Sequence, residues 1–141
     1  RGEPAVTDVV PIGTHEEGQA LAFAASAEAG SEHPLARAMV HAAAQRGLVV
    51  GAITDFEAIA GHGVRARVNG HEVLLGNRRL MSSEGLDVAP TESVMSALEE
   101  QGKTAMLVAV DGGLTGIIAV ADTIKPTSAD AIVELEKEIR P

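Results

Sequence analysis

Asn69-Gly70 stands between two short alternating runs, Val64-Arg65-Ala66-Arg67-Val68 and His71-Glu72-Val73-Leu74-Leu75, and no other local feature constrains the fold as much. The favoured two-residue turn needs positive φ at both central residues, and Asn-Gly adopts that geometry at little cost while matching the twist of the flanking strands. The pattern predicts an antiparallel hairpin. Asp111-Gly112-Gly113 is a second signal of this kind, joining predicted strands over 104–110 and 114–120. Strands grouped in hairpins, with helices in pairs between them, predict an α+β fold: a mainly antiparallel β-sheet with flanking helical hairpins.

The helices announce themselves by their ends. Thr14-His15-Glu16-Glu17 has the form of a capping box, which predicts a helix from there to about Ala29, stopped by Gly30. Pro34 suits a first helical turn, and the Ala-rich stretch after it closes at Gly47, a natural residue just past a helix end. Residues 5–12 read as a strand whose Pro11 marks an edge or an end. Residues 49–59 are β-branched and alternating enough for another strand. Short helices are predicted over 78–84 and 91–101, the latter closed by Gly102, and a last one over 128–139 after Pro126.

Composition removes several functions. The 141 residues suffice for one domain with a real core. A net charge of −9, with two Phe and neither Trp nor Tyr, leaves nucleic acid no basic face and almost no stacking platform. No cysteine is present, so disulfides and thiolate metal sites are excluded. No apolar run approaches the ~18 residues of a membrane span, so this segment is not expected to enter a membrane. No signal-peptide pattern is seen, and a chain opening Arg1-Gly2-Glu3-Pro4 and closing in a charged helical pattern is expected to be part of something longer. The five histidines, His15, His33, His41, His62 and His71, show no ligand spacing of the H-x-x-x-H kind, so no metal site is expected.

Chemistry gathers at Ser31-Glu32-His33-Pro34-Leu35. A carboxylate, a flat ring and the free N–H groups of a helix entrance lie there within one turn, a set able to hold a heterocycle. Taken alone, a Glu-His pair at a helix start more often caps the helix. The longer run Glu28-Ala29-Gly30-Ser31-Glu32-His33-Pro34-Leu35-Ala36 resembles the signature of the nucleotide-binding domain of heavy-metal-transporting P-type ATPases. Gly61-His62-Gly63-Val64, Gly76-Asn77, the stretch 102–108 and Ala121-Asp122-Thr123-Ile124-Lys125 follow in that family's order, so the resemblance covers nearly the whole chain.

The resemblance implies an adenine pocket made by Glu32, His33, Gly61, Gly63 and Val64, with Gly76 and Asn77 at its rim. Glu32 would accept from the exocyclic amine and His33 would pack on the ring; His62 carries no assignable role. It further implies ATP or ADP as ligand, with Mg²⁺ carried by the nucleotide and not ligated here. Residues 1–121 would be the ATP-binding domain, and 122–141 a hinge and the start of a phosphorylation-domain helix. Partners would be the phosphorylation and actuator domains of the same parent, with this domain in the cytoplasm, and the wording of 120–125 leans towards copper. Arg65, Arg67, Arg78 and Arg79 are candidates to soften the acidic field near a triphosphate.

What is missing limits the chemistry. The segment 97–104 nearly spells a phosphate loop, but Ala97 replaces its first glycine, and it closes a helix and opens a strand, the reverse of the needed order. No aspartate is followed by Lys-Thr-Gly, the phosphorylated motif of P-type ATPases, and no Ser-His-Asp or nucleophile-elbow pattern occurs. No catalytic residue is therefore assigned, and the domain by itself is expected not to turn over ATP. The alternative is a non-enzymatic interaction module that keeps the fold without nucleotide; a small-molecule hydrolase stands further off.

Overall fold

Both turn signals make the hairpins they predict. In a computed structural model that describes residues 2–124, Asn69 and Gly70 have φ of 51° and 85°, and Asp111 and Gly112 have 51° and 84°. They join β3 (Gly63–Val68) to β4 (His71–Gly76) and β5 (Thr104–Val110) to β6 (Gly113–Ile124). With β1 (Gly2–Pro11) and β2 (Ile53–Ile59) these form one six-stranded, wholly antiparallel sheet in the order β1-β6-β5-β4-β3-β2. The prolines of β1 are tolerated because that strand is an edge.

Among the described residues four α-helices cover both faces. On one lie α1 (Glu17–Ala27) and α2 (Pro34–Gln45); on the other lie α3 (Arg78–Ser83) and α4 (Glu92–Glu100). The strands alternate between the two cores. Leu74, Leu107, Ile117 and Ala119 pack with Leu80, Met81, Met95 and Leu98, while Val73, Leu75, Val108 and Ile118 pack with Leu21 and Met39. Central strands buried on both sides read as unbroken apolar runs. Ala20, Ala24 and Ala25 are fully buried on α1, and their small side chains let the helix lie close to the sheet. A Cβ at Gly116 of β6 would come within 2.6 Å of the Ala20 Cβ.

Three boundaries depart from expectation. The α1 cap is Glu16, not Thr14: residues 12–15 are spent on a turn through Gly13 (φ 68°), and Glu16 N–H donates to Gln19 Oε1 at 2.9 Å. Residues 49–52 stay off the sheet, because the α2 terminus turns back through Leu48 N–H to Ala43 O and Gly51 N–H is held by Ser26 Oγ at 2.8 Å. β6 runs on past the expected 114–120 to Ile124, pairing Asp122 with Pro4, Thr123 with Glu3 and Ile124 with Gly2. Lys125 and the helix expected over 128–139 lie outside the described residues.

The edge strand is tied in electrostatically. Lys103 Nζ donates to Asp8 Oδ1 at 2.6 Å, with Thr7 Oγ1 also donating to that oxygen. These bonds, Lys103 first, hold the Asp8 carboxyl below its ordinary range. A carboxyl lowered in the folded state stabilises above its unfolded pKa, and the gain disappears as pH falls through the folded value. Asp8→Asn should therefore lower the melting temperature at pH 7, at a cost on the order of 1 kcal/mol, and the gap to the parent should close below about pH 4. Thermal melts at pH 7, 5 and 3 check this.

Candidate functional site

His33 is locked by the helix it begins. It is the N-cap of α2, in extended backbone conformation, and its ring Nδ1 accepts from Leu35 N–H at 3.1 Å. Its own N–H donates to Ser31 Oγ at 3.1 Å. A neutral imidazole accepting at Nδ1 carries its proton on Nε2, so the cap sets both tautomer and ring plane.

The glycine loop is built from the sheet. Gly63 opens β3 directly across from Gly76, the last residue of β4. A Cβ on Gly63 would strike the Leu75 carbonyl oxygen and come within 2.6 Å of Gly76 Cα; one on Gly76 would strike the His62 carbonyl oxygen. Gly63 also has φ of 149°, a conformation costly for other residues. The surrounding backbone alone thus demands glycine at 63 and 76. Gly61 differs: φ is 75°, but a Cβ there would meet open space. Asn77 binds the pieces together. Its backbone N–H donates to His62 O at 2.9 Å, its Nδ2 to Gly61 O at 3.0 Å, and its Oδ1 caps α3 by accepting from Leu80 N–H at 2.9 Å.

Between these elements lies a largely apolar cleft of about 540 Å³. His33, Gly61, Gly63, Val64, Gly76 and Asn77 all line it. Glu32 does not: it is exposed, and its carbonyl accepts from Arg37 Nη1 at 2.8 Å. The lining carboxylate is Glu28, at the end of α1 and only 9% exposed. Burial pushes its carboxyl up, partly offset by nearby His33. Reading only the five residues around His33 overlooks it; setting the end of α1 against the start of α2 brings it in. His62 and residues 104–106, from motifs given no site role, also line the cleft, as does Phe56, which no motif contained.

Among the described residues no Lys or Arg lines the cleft. Arg65 pairs with Glu57, Glu72 and Glu84, Arg67 with Asp55, and Arg78 with Glu92 and Glu99, so these three arginines serve surface carboxylates instead of softening the field in the cleft. Among the described residues no group of three His, Asp or Glu side chains is arranged to hold a metal ion, and no helix is long and apolar enough to cross a membrane.

An antiparallel sheet sandwiched by helices, with a cleft at the entrance of α2, defines a class that comparison with known proteins specifies. A family model described as "Hydrolase: haloacid dehalogenase-like hydrolase" matches residues 1–140, and the chain belongs to that family. It is 45% identical over 136 residues to the copper-exporting P-type ATPase of Bacillus subtilis (strain 168), an alignment covering 96% of this chain and 17% of that protein. The chain thus spans about a sixth of the length of the curated relatives it matches. Among solved structures it is similar to a zinc-transporting PIB-type ATPase, with TM-score 0.82, 32% identity and coverage of 96% of this chain and 22% of that one. It is also similar to the N-domain of HMA6, a copper-transporting P-type ATPase, with TM-score 0.68 and 27% identity over 84% of this chain and 99% of that one. The chain corresponds to the N-domain of heavy-metal P-type ATPases.

Two outcomes follow from the geometry. Gly63→Ala should cost about 2–4 kcal/mol of stability, because backbone must move to admit the methyl group. Gly61→Ala should cost only about 1–2 kcal/mol, the price of a left-handed non-glycine; denaturant melts of both variants compare them. For Glu28, a carboxyl raised by folding makes stability fall as pH rises from the unfolded value through the folded one. Glu28→Gln should accordingly raise the melting temperature at pH 7–8, with the gain vanishing below about pH 4, where the parent carboxyl is already protonated.

Proposed function

We propose that this chain is the cytoplasmic ATP-binding domain of a heavy-metal-exporting P-type ATPase, copper being the favoured cargo, and that the cleft takes the adenine and ribose of ATP or ADP. The observation carrying this is the chemistry of the cleft walls. A ring of fixed tautomer, a buried carboxylate and an apolar floor suit a planar base with a polar edge, and the absence of any lining cation leaves a triphosphate nothing to be gripped by. The base is held and the phosphates project outward, towards an aspartate on the neighbouring phosphorylation domain. Mg²⁺ travels with the nucleotide. The phosphorylation and actuator domains of the parent chain are the protein partners.

In this reading His33 covers or edges the base, Glu28 takes the role the motif alone gave to Glu32, and Gly61, Gly63 and Val64 form the opposite wall. Gly76 and Asn77 shape that wall, with the second Nδ2 hydrogen of Asn77 still free to meet a ligand. Supporting it are the relatives of similar sequence, which are named as copper-exporting P-type ATPases. With no acceptor aspartate on the segment, the domain alone should not hydrolyse ATP.

Calorimetry with ATP, ADP and AMP tests the reading. All three should bind with similar affinity, roughly 0.1–1 mM, since few contacts offset the cost of immobilising the ligand. ATP binding a hundredfold tighter than AMP would show that the phosphates are gripped after all. Steady phosphate release that survives repurification and is lost in Glu28→Ala would overturn the lack of turnover.

A further inference from the structure

β2 carries one residue too many. It pairs Ile53 with Val68 and Thr54 with Arg67, then Glu57 with Arg65, Ala58 with Val64 and Ile59 with Gly63. Asp55 and Phe56 together stand opposite the single residue Ala66. Asp55 takes up the slack with φ of 56°, the left-handed conformation that Asp tolerates better than most residues. The extra residue reverses the side-chain parity of the strand. Strict alternation would put Ile53 and Phe56 on opposite faces. With the bulge, Phe56 shares a face with Ala58, which pairs with Val64, and Val64 packs in the core on the α1–α2 side.

That is the side of the cleft, and Phe56 lines it together with His33 and Ala58. The phenyl ring belongs to neither hydrophobic core and is 45% exposed. It is one of two Phe in the chain; the other, Phe23, packs edge-on against His71 and against the α1–α2 core. An aromatic ring turned to an open cleft by a bulge, outside both hydrophobic cores, is a surface for a flat ligand.

We infer that Phe56 is a stacking wall of the base slot, and that it makes the cleft select purine over pyrimidine nucleotides. The inference rests on the nucleotide reading given above and deepens it. A two-ring base covers more of a phenyl face than a one-ring base, and stacking on an aromatic side chain is sensitive to that overlap and indifferent to phosphate number. Purine preference then comes from area rather than from hydrogen bonds alone.

The test uses the 141-residue chain, with AMP and CMP titrated by NMR into the parent, Phe56→Ala and Phe56→Tyr, alongside a melting curve for each. Phe56→Ala should weaken AMP binding at least about fivefold, the low end for loss of a base–aromatic stack, and compress the AMP-to-CMP preference. Its melting temperature should stay near that of the parent, because the ring is outside both cores. Phe56→Tyr should bind like the parent, and the ring protons of Phe56 should shift upfield with AMP. AMP binding by Phe56→Ala within about twofold of the parent overturns the inference while leaving the nucleotide reading intact. A melting temperature lowered as far as for a core truncation overturns it too, since the ring is then structural. If the parent binds neither nucleotide, both readings fall.

Discussion

Two glycines meeting across β3 and β4 govern how this cleft is made. Gly63 and Gly76 lie so close that neither admits a Cβ without striking the backbone of the other strand. Because β3 begins and β4 ends at this contact, the loop ahead of Gly63 and the turn after Gly76 are brought side by side. Asn77 then bonds across to Gly61 and His62 while starting α3, and Arg78, one residue on, holds α4 through Glu92 and Glu99. A single backbone approach thus couples the cleft wall to the helices on the far face of the sheet.

The cleft is electrostatically quiet inside an acidic molecule. Arg65 and Arg78 are committed to surface carboxylates, and the His33 ring is held in place by a cap bond from Leu35 N–H. The one exception is Glu28, whose burial disfavours its charge. Keeping such a group charged in a half-closed cleft costs stability.

Much of this was legible in the residues, for identifiable reasons. Asn69-Gly70 and Asp111-Gly112 are local instructions, since positive φ at both central residues depends on little beyond the pair itself. The helix ends at Pro34, Gly47 and Gly102 are equally local. Where a boundary depended on tertiary partners, local reading failed: β6 extends because β1 is there to pair with it, and 49–52 leaves the sheet because Ser26 captures Gly51. At the cleft, His33 and the glycines announced themselves as motif members. Glu28 is brought in by the packing of α1 against α2, and Phe56 by a bulge that breaks the alternation a strand is read by. Gly63 was legible as a motif member, whereas the β4 backbone that leaves no room for a side chain there was not.

The pairing of β1 with the far end of β6 has a mechanical side. Gly2 and Ile124 are cross-strand partners, which places their Cα atoms about 5 Å apart. A polypeptide entering at one and leaving at the other would do so through two hydrogen-bonded ribbons, not through a single flexible thread. Because these two ends already meet, the stretch 2–124 is a closed loop, and bringing them together carries no further entropic cost once the sheet has formed.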